Sequence, residues 1–347
     1  MKNEDKQQLT KDLLAWYDAN ARILPWRETP TPYRVWVSEI MLQQTRVEAV
    51  KPYFERFLET LPDIPALAYA KEDVLRKLWE GLGYYRRVSN MKKAAIQCME
   101  YHHGELPSSY EELLTLSGIG AYSAGAIASI AFKEKVPAVD GNVLRVFSRV
   151  LISEDDILKE STKKKFQTIL MDYIPEDRPD AFNQAVMEIG ARICIPNGFP
   201  KCDSCPIKSH CKAHIQGIED TLPIKKAKKK RTIEKKYIDI LIHKNKVLLQ
   251  KRKEDGLLAG LYEFKTFDTT EEEELFLQTL KISQIISLRD SKHIFTHKEW
   301  HMKGKLVLID QKLPGEWVDI ETMAEHYAIP TAFKAYKEAL WEWMRHM

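Results

Sequence analysis

No stretch of this chain approaches the ~20 consecutive apolar residues that a membrane span requires. The opening segment, MKNEDKQQLTKDLL, is polar and lacks a signal-peptide core, so a reducing, cytoplasmic compartment is expected. Charge of one sign is also lacking. The net charge is +3, from 53 basic and 50 acidic residues, so bulk charge establishes no nucleic-acid partner. No internal repeat is present, which excludes a solenoid or propeller. Cysteine is scarce, at five residues in 347, and four of the five fall together.

Those four are Cys194, Cys202, Cys205 and Cys211, in the run CIPNGFPKCDSCPIKSHC. The C-x7-C-x2-C-x5-C spacing can hold one metal centre. It contains one C-x2-C pair, where common zinc ribbons use two. Unequal loops around the prolyl-cysteine Cys205-Pro206 suit a compact iron–sulfur cluster. Zinc and disulfides stay open as alternatives. The fifth, Cys98, reads as a small buried residue.

At this length about two domains are expected. Residues 1–214 carry apolar residues at three- and four-residue spacing, in windows such as EAVKPYFERFLETL and NMKKAAIQCMEYHH, and read as helical. A basic linker at 215–234 contains Lys225, Lys226, Lys228, Lys229, Lys230 and Arg231. From 235 onward the pattern alternates. KYIDILIHKNKVLLQKR reads as two strands joined at Lys244-Asn245-Lys246, KGKLVLIDQ and GEWVDI as further strands, and TAFKAYKEALWEWMRHM as a closing amphipathic helix. The expected fold is a mainly α domain followed by a smaller α+β domain.

Three segments carry chemistry. YEELLTLSGIGAYSAGAIASIAF predicts helix, turn, helix, with Gly118 and Gly120 in the turn and a new helix from about Ala121. Free N–H groups at such a helix start can bind a phosphate without reading a base. PYRVWVSEIMLQQTRVEAV predicts another helix, with Ser38 as one candidate cap. On it Glu39 and Gln43 would share a face, with Gln44 and Thr45 on the next. Glu39, set among Val37, Ile40, Met41 and Leu42, can have a raised pKa and donate a proton. In VPAVDGNVLRVFSRV, Asp140 fits a helix N-cap, where backbone N–H bonds keep a carboxylate ionised. One carboxyl held protonated and one held charged is the pair that glycosidic-bond cleavage needs.

LPWR (24–27), SEIMLQQTRV (38–47), GLGYYRR (81–87), LSGIGAYSA (116–124), VDGNVLRV (139–146) and FNQAVMEIGARIC (182–194) together resemble the helix-hairpin-helix DNA glycosylases, and among them the MutY-type adenine DNA glycosylases. The resemblance resumes at KRKEDGLLAGLYEF (251–264) and IFTH (294–297). It implies a helix-hairpin-helix glycosylase domain with a [4Fe-4S] loop at 194–211 and a Nudix-like lesion-recognition domain. It implies an enzyme that removes adenine opposite 8-oxoguanine, or opposite guanine, from double-stranded DNA. A monomer in the cytoplasm, associated with the nucleoid, is expected.

Residue by residue, the resemblance implies that Glu39 protonates adenine at N7 and Asp140 stabilises the positive sugar, with Tyr122 and Asn142 orienting them. Trp26, Arg27, Leu42 and Gln184 would receive the flipped adenine. Gln44 and Tyr84 would fill the gap in the stack. Thr45, Leu82, Phe295, Thr296 and His297 would contact 8-oxoguanine, and Gly118 and Gly120 a phosphate. Cys194, Cys202, Cys205 and Cys211 would hold the cluster. Three departures are visible. Seven residues separate the first two cysteines where the family has six, and Ser117 replaces the hairpin proline. Tyr122 stands where the related endonuclease III enzymes place a lysine, so no efficient Schiff base is expected and the strand should stay intact. The run EEEEL (271–275) lacks the arginine and glycine context of a Nudix box. It reads as a solvated helix or loop, not a magnesium site.

Overall fold

The computed structural model describes residues 2–196, 198–226 and 230–346. Lys228 and Lys229 of the basic run lie outside the described residues. The chain forms two compact units that no single cut in the sequence separates. One comprises Met1–Tyr69 with Asn90–Ala227, the other Ala70–Ser89 with Lys228–Met347. An uninterrupted domain over 1–214 is therefore corrected in one respect: residues 70–89 gather with the C-terminal chain. Charged side chains bridge the two segments. Buried Arg76 donates to the Gly260 carbonyl at 3.0 Å and to Glu254 at 2.5 Å. Lys251 meets Asp73 at 2.8 Å, and Lys337 meets Glu80 at 2.9 Å.

The first unit is helical. Its largest apolar cluster joins the helices Asn3–Asn20, Gly141–Leu151, Glu160–Leu170 and Pro179–Arg192 around Phe147, Phe166 and Phe182. The Glu39 helix spans Pro32–Leu42. Thr31 caps it, with Pro at the first helical position where a missing N–H costs nothing. Ser38 is interior and bonds back to the Val35 carbonyl at 2.9 Å, so it is not the cap. The helix stops at Leu42. Gln44 follows with φ 58°, so Gln44 and Thr45 lie beyond the helix rather than on its next face.

In the hairpin segment the second helix runs Ala121–Phe132, capped by Gly120. The first is shorter than its apolar pattern suggested, Tyr110–Leu113, because single turns carry the chain to Gly118. Gly118 has φ 76°, and a Cβ there would lie 2.6 Å from that of Asn90, so both conformation and space require glycine.

The second unit is built on an eight-stranded sheet. Its strands are β1 (Thr232–His243), β2 (Lys246–Lys251), β3 (Tyr262–Glu263), β4 (Lys265–Phe267), β5 (Ile282–Ser287), β6 (Ser291–Ile294), β7 (Lys298–Ile309) and β8 (Glu316–Asp319). The main order is β3-β2-β1-β7-β5, with β4 on β1, β6 on β7 and β8 on β2. β1 and β7 run parallel, Thr232 opposite Lys298 through Ile242 opposite Leu308. Apolar residues on one sheet face pack with Phe333, Tyr336 and Leu340 of the C-terminal segment, and those on the other with Phe276 and Leu277 of the helix Thr270–Gln278. That helix holds the EEEEL run, and it is not wholly solvated. Glu273 is buried and pairs with Lys305 at 2.9 Å.

Candidate active site

Glu39 sits in the middle of the Pro32–Leu42 helix, 6% exposed. Burial raises its pKa to about 7, and the negative charge of Asp140 adds to the rise. A hydrogen bond from the Tyr122 hydroxyl and the charge of Arg27 oppose it. Tyr122 is the second residue of the Ala121–Phe132 helix. The glycine turn of the hairpin therefore delivers a phenol to the buried carboxyl.

Asp140 caps the Gly141–Leu151 helix, as its Asp-Gly context predicted. One carboxyl oxygen accepts from the Val143 N–H at 2.7 Å and the other from the Asn142 side-chain amide at 2.7 Å. Burial nevertheless raises its pKa from the ordinary aspartate value, with these bonds and Arg145 opposing. Capping alone does not set its charge, contrary to the reading from sequence. The Asn142 carbonyl oxygen accepts from Arg145 at 2.8 Å. Arg145 also donates to the carbonyls of Gly190 at 2.8 Å and Cys194 at 2.6 Å. A Cβ on Gly190 would lie 2.5 Å from that of Asn142, so glycine there permits the two helices to meet.

The structure thus joins Glu39, Tyr122, Asp140, Asn142 and Arg27 through hydrogen bonds and charge. Arg27 also bonds to Glu188 at 3.0 Å, and Arg22 meets the same carboxylate at 2.5 Å. Trp26 is buried edge-on against Phe54, with ring centroids 5.4 Å apart. The Gln184 amide donates to the Asp180 carbonyl at 3.3 Å. Leu42 and Thr45 are half-buried, and Gln44 is exposed in the left-handed region.

In the second unit, Tyr84 is 51% exposed with φ 49°, and its hydroxyl lies 3.0 Å from that of Thr296. Leu82 is buried beside it in sequence. Phe295, Thr296 and His297 form the connection between β6 and β7. Phe295 packs on Trp300 at 4.9 Å, while Thr296 and His297 are exposed.

All four clustered cysteines line one cavity in the first unit, of about 30 Å³. Among the described residues no three of their sulfurs lie within 4.8 Å of one another. A tetrahedral zinc ion with Zn–S near ~2.3 Å would draw the sulfurs to about 3.8 Å. Four thiols around one cavity are a donor set that suits an iron–sulfur cluster. Buried Arg149 donates to Cys194 Sγ at 3.1 Å and supplies positive charge beside the cysteines. Burial pushes the Cys205 thiol up to about 11 and Cys202 to about 12. Cys98 is buried, as its context suggested.

Arg22, Arg145, Arg149, Glu188, His214 and Glu219 were missed in the sequence. The last two lie against Cys202. Their local context reads as ordinary helix surface, and partners more than forty residues away define all but the Glu219–His214 pair.

The model of the HhH-GPD superfamily base excision DNA repair proteins matches residues 37–174, and a NUDIX domain model matches 238–339. The adenine DNA glycosylase of Buchnera aphidicola from Acyrthosiphon pisum is 36% identical over 290 residues, covering 83% of this chain and 82% of that protein. The adenine DNA glycosylase of Arabidopsis thaliana is 34% identical, covering 92% of this chain and 56% of its own length. A thermostable thymine-DNA glycosylase structure superposes with TM-score 0.55 at 24% identity, over 62% of this chain and 98% of that one, a likeness of fold.

Proposed function

This chain belongs to the adenine DNA glycosylases, base excision repair enzymes of the HhH-GPD superfamily, and from that premise we propose that it removes adenine paired with 8-oxoguanine, or with guanine, leaving the strand intact. The observation that carries the mechanism is the Glu39–Tyr122–Asp140 group. A buried and a half-buried carboxyl share one site but differ in their donors: a phenol on Glu39, backbone and amide N–H groups on Asp140.

The flipped adenine lies among Trp26, Arg27, Leu42 and Gln184. Glu39, with its pKa near neutrality, protonates adenine N7 and turns a poor leaving group into a neutral one. Asp140 stabilises the oxocarbenium-like sugar, and Asn142, held by Arg145, fixes its orientation. Tyr122 keeps Glu39 in place and offers no amine, which supports hydrolysis without a covalent sugar intermediate.

Gln44 and Tyr84 occupy the gap left in the stack. Both are non-glycine residues held in the left-handed region and exposed, a strain that marks functional sites. Thr45, Leu82, Phe295, Thr296 and His297 read 8-oxoguanine, and the Gly118–Gly120 turn takes a phosphate. Residues 1–214 do the chemistry, and those from 235 onward add the Phe295–His297 part of lesion reading. Cys194, Cys202, Cys205 and Cys211 hold a [4Fe-4S] cluster, which when bound crosslinks the loop between them. The enzyme acts as a cytoplasmic, nucleoid-associated monomer.

Single-turnover adenine release from duplexes with 8-oxoguanine:adenine, guanine:adenine and thymine:adenine pairs tests this reading. The expected order is fastest, slower and none. Glu39→Gln should lose release by about 10²-fold or more while keeping tight lesion-duplex binding. A rate within a few-fold of wild type would remove Glu39 as the acid.

A further inference from the structure

The face of the sheet that carries the Thr270–Gln278 helix at one end is uncovered at the other. There, β6, β7 and β1 set three basic side chains side by side. Lys292 pairs in register with His301, and His301 with Lys235. In the next row Lys303 lies opposite Tyr237. Paired residues of neighbouring strands share a face, so these five side chains line one groove, of about 390 Å³, in which Asp290 is the single acidic lining residue against Lys235, Lys236, Lys292 and Lys303. Lys292 and His301 share Glu299, at 2.6 and 3.4 Å. Lys235 and Lys303 are exposed and form no ion pair among the described residues.

We propose that this groove is a phosphate-contact surface for the backbone of the DNA strand that leaves the hairpin tip at Phe295–His297. The proposal rests on that tip lying at the lesion, as argued above. Two observations favour DNA as the occupant. Lys235 and Lys303, exposed and with no ion pair among the described residues, beside Lys292 in one open groove, match a line of phosphates and carry no base-reading geometry. The groove is also continuous with the tip. Lys292 is three residues from Phe295 on β6, and His301 and Lys303 follow His297 on β7. Arg231, at the end of the basic run, donates to the Phe295 carbonyl at 3.1 Å and leads into β1, where Lys235 lies. The groove would extend the protein's hold on DNA without affecting bond cleavage.

The test uses the full-length, cluster-bearing chain with Lys235→Gln and Lys303→Gln together. A second double variant, Lys281→Gln with Lys312→Gln, makes the same charge change at the far end of β7. Affinities are measured across a salt series on two duplexes that carry a non-cleavable 2′-fluoro adenosine, opposite 8-oxoguanine or guanine. For the first variant the slope of log affinity against log salt should fall by about 2 on both duplexes. Affinity at fixed salt should drop by an equal factor on both. The single-turnover rate at saturating enzyme and the melting temperature should not change.

An unchanged slope overturns the proposal. So does an equal change in the far-end variant, which would report net charge alone, or a loss confined to the 8-oxoguanine duplex, which would make these lysines lesion readers. Failure of the lesion-reading assignment shows elsewhere: Phe295→Ala with His297→Ala would then leave the preference between the two duplexes intact, whatever the salt slope does.

Discussion

Glu39 has a pKa near 7 because its helix buries it and Asp140 adds like charge. If it is the acid, the single-turnover rate should fall as pH rises through about 7. The rate should fall again on the acid side as Asp140, itself raised, takes up a proton. A rate flat from about pH 5.5 to 8.5 would exclude Glu39 as the acid. The same shift acts on stability. The folded pKa lies above the ordinary 4.5, so the native state binds more protons between 4.5 and about 7. Stability therefore declines as pH rises across that window, and the loss is complete above it, on the order of 3 kcal/mol. Glu39→Gln keeps an acceptor for Tyr122 and never ionises. Its melting temperature should exceed wild type at about pH 8, with the advantage shrinking towards pH 4.5.

At the scale of elements, the Gly141–Leu151 and Pro179–Arg192 helices link Asp140 to the cysteine loop. Asp140, Asn142, Arg145 and the Cys194 carbonyl form a chain of bonds of 2.6–2.8 Å. Arg145→Gln would free the Asn142 amide and the Cys194 peptide together. Excision should slow by about 10²-fold, since small misplacements of a reacting group have effects of that size. Iron should also leave faster under a chelator, and a variant that changes neither would show the chain to be merely structural. Asp140 as a cap was legible from the Asp-Gly before an apolar helix. Arg145 was not, because its partners lie 45 and 49 residues away. Ser38 misled for the opposite reason. Its local context suits a cap, but Thr31 and Pro32 begin the helix one turn or more earlier.

For the whole molecule, deleting residues from about 235 should leave an iron-bearing unit that still releases adenine, since both carboxylates and all four cysteines precede that point. Preference for 8-oxoguanine over guanine should fall. The assignment of residues 70–89 to the second unit adds a consequence. Arg76 would lose Glu254 and the Gly260 carbonyl, leaving a cation sequestered in the intact protein without those partners. The truncated protein should melt several degrees lower. Arg76→Met in the truncated background should recover part of that loss, and no recovery would place the cost elsewhere.

The sequence by itself determined the helical and α+β halves, the two carboxylates, the hairpin and the four cysteines. Each rests on local spacing: apolar period, Asp-Gly before a helix, glycine in a turn, thiols within one short run. Tertiary structure alone decided which groups meet. It placed Tyr122 on Glu39, raised both carboxyl pKa values by burial, and set all four clustered cysteines around one cavity. It also held Gln44 and Tyr84 in left-handed backbone and drew residues 70–89 into the C-terminal unit. Burial, charge and close approach are sums over distant parts of the chain, and no local pattern encodes them.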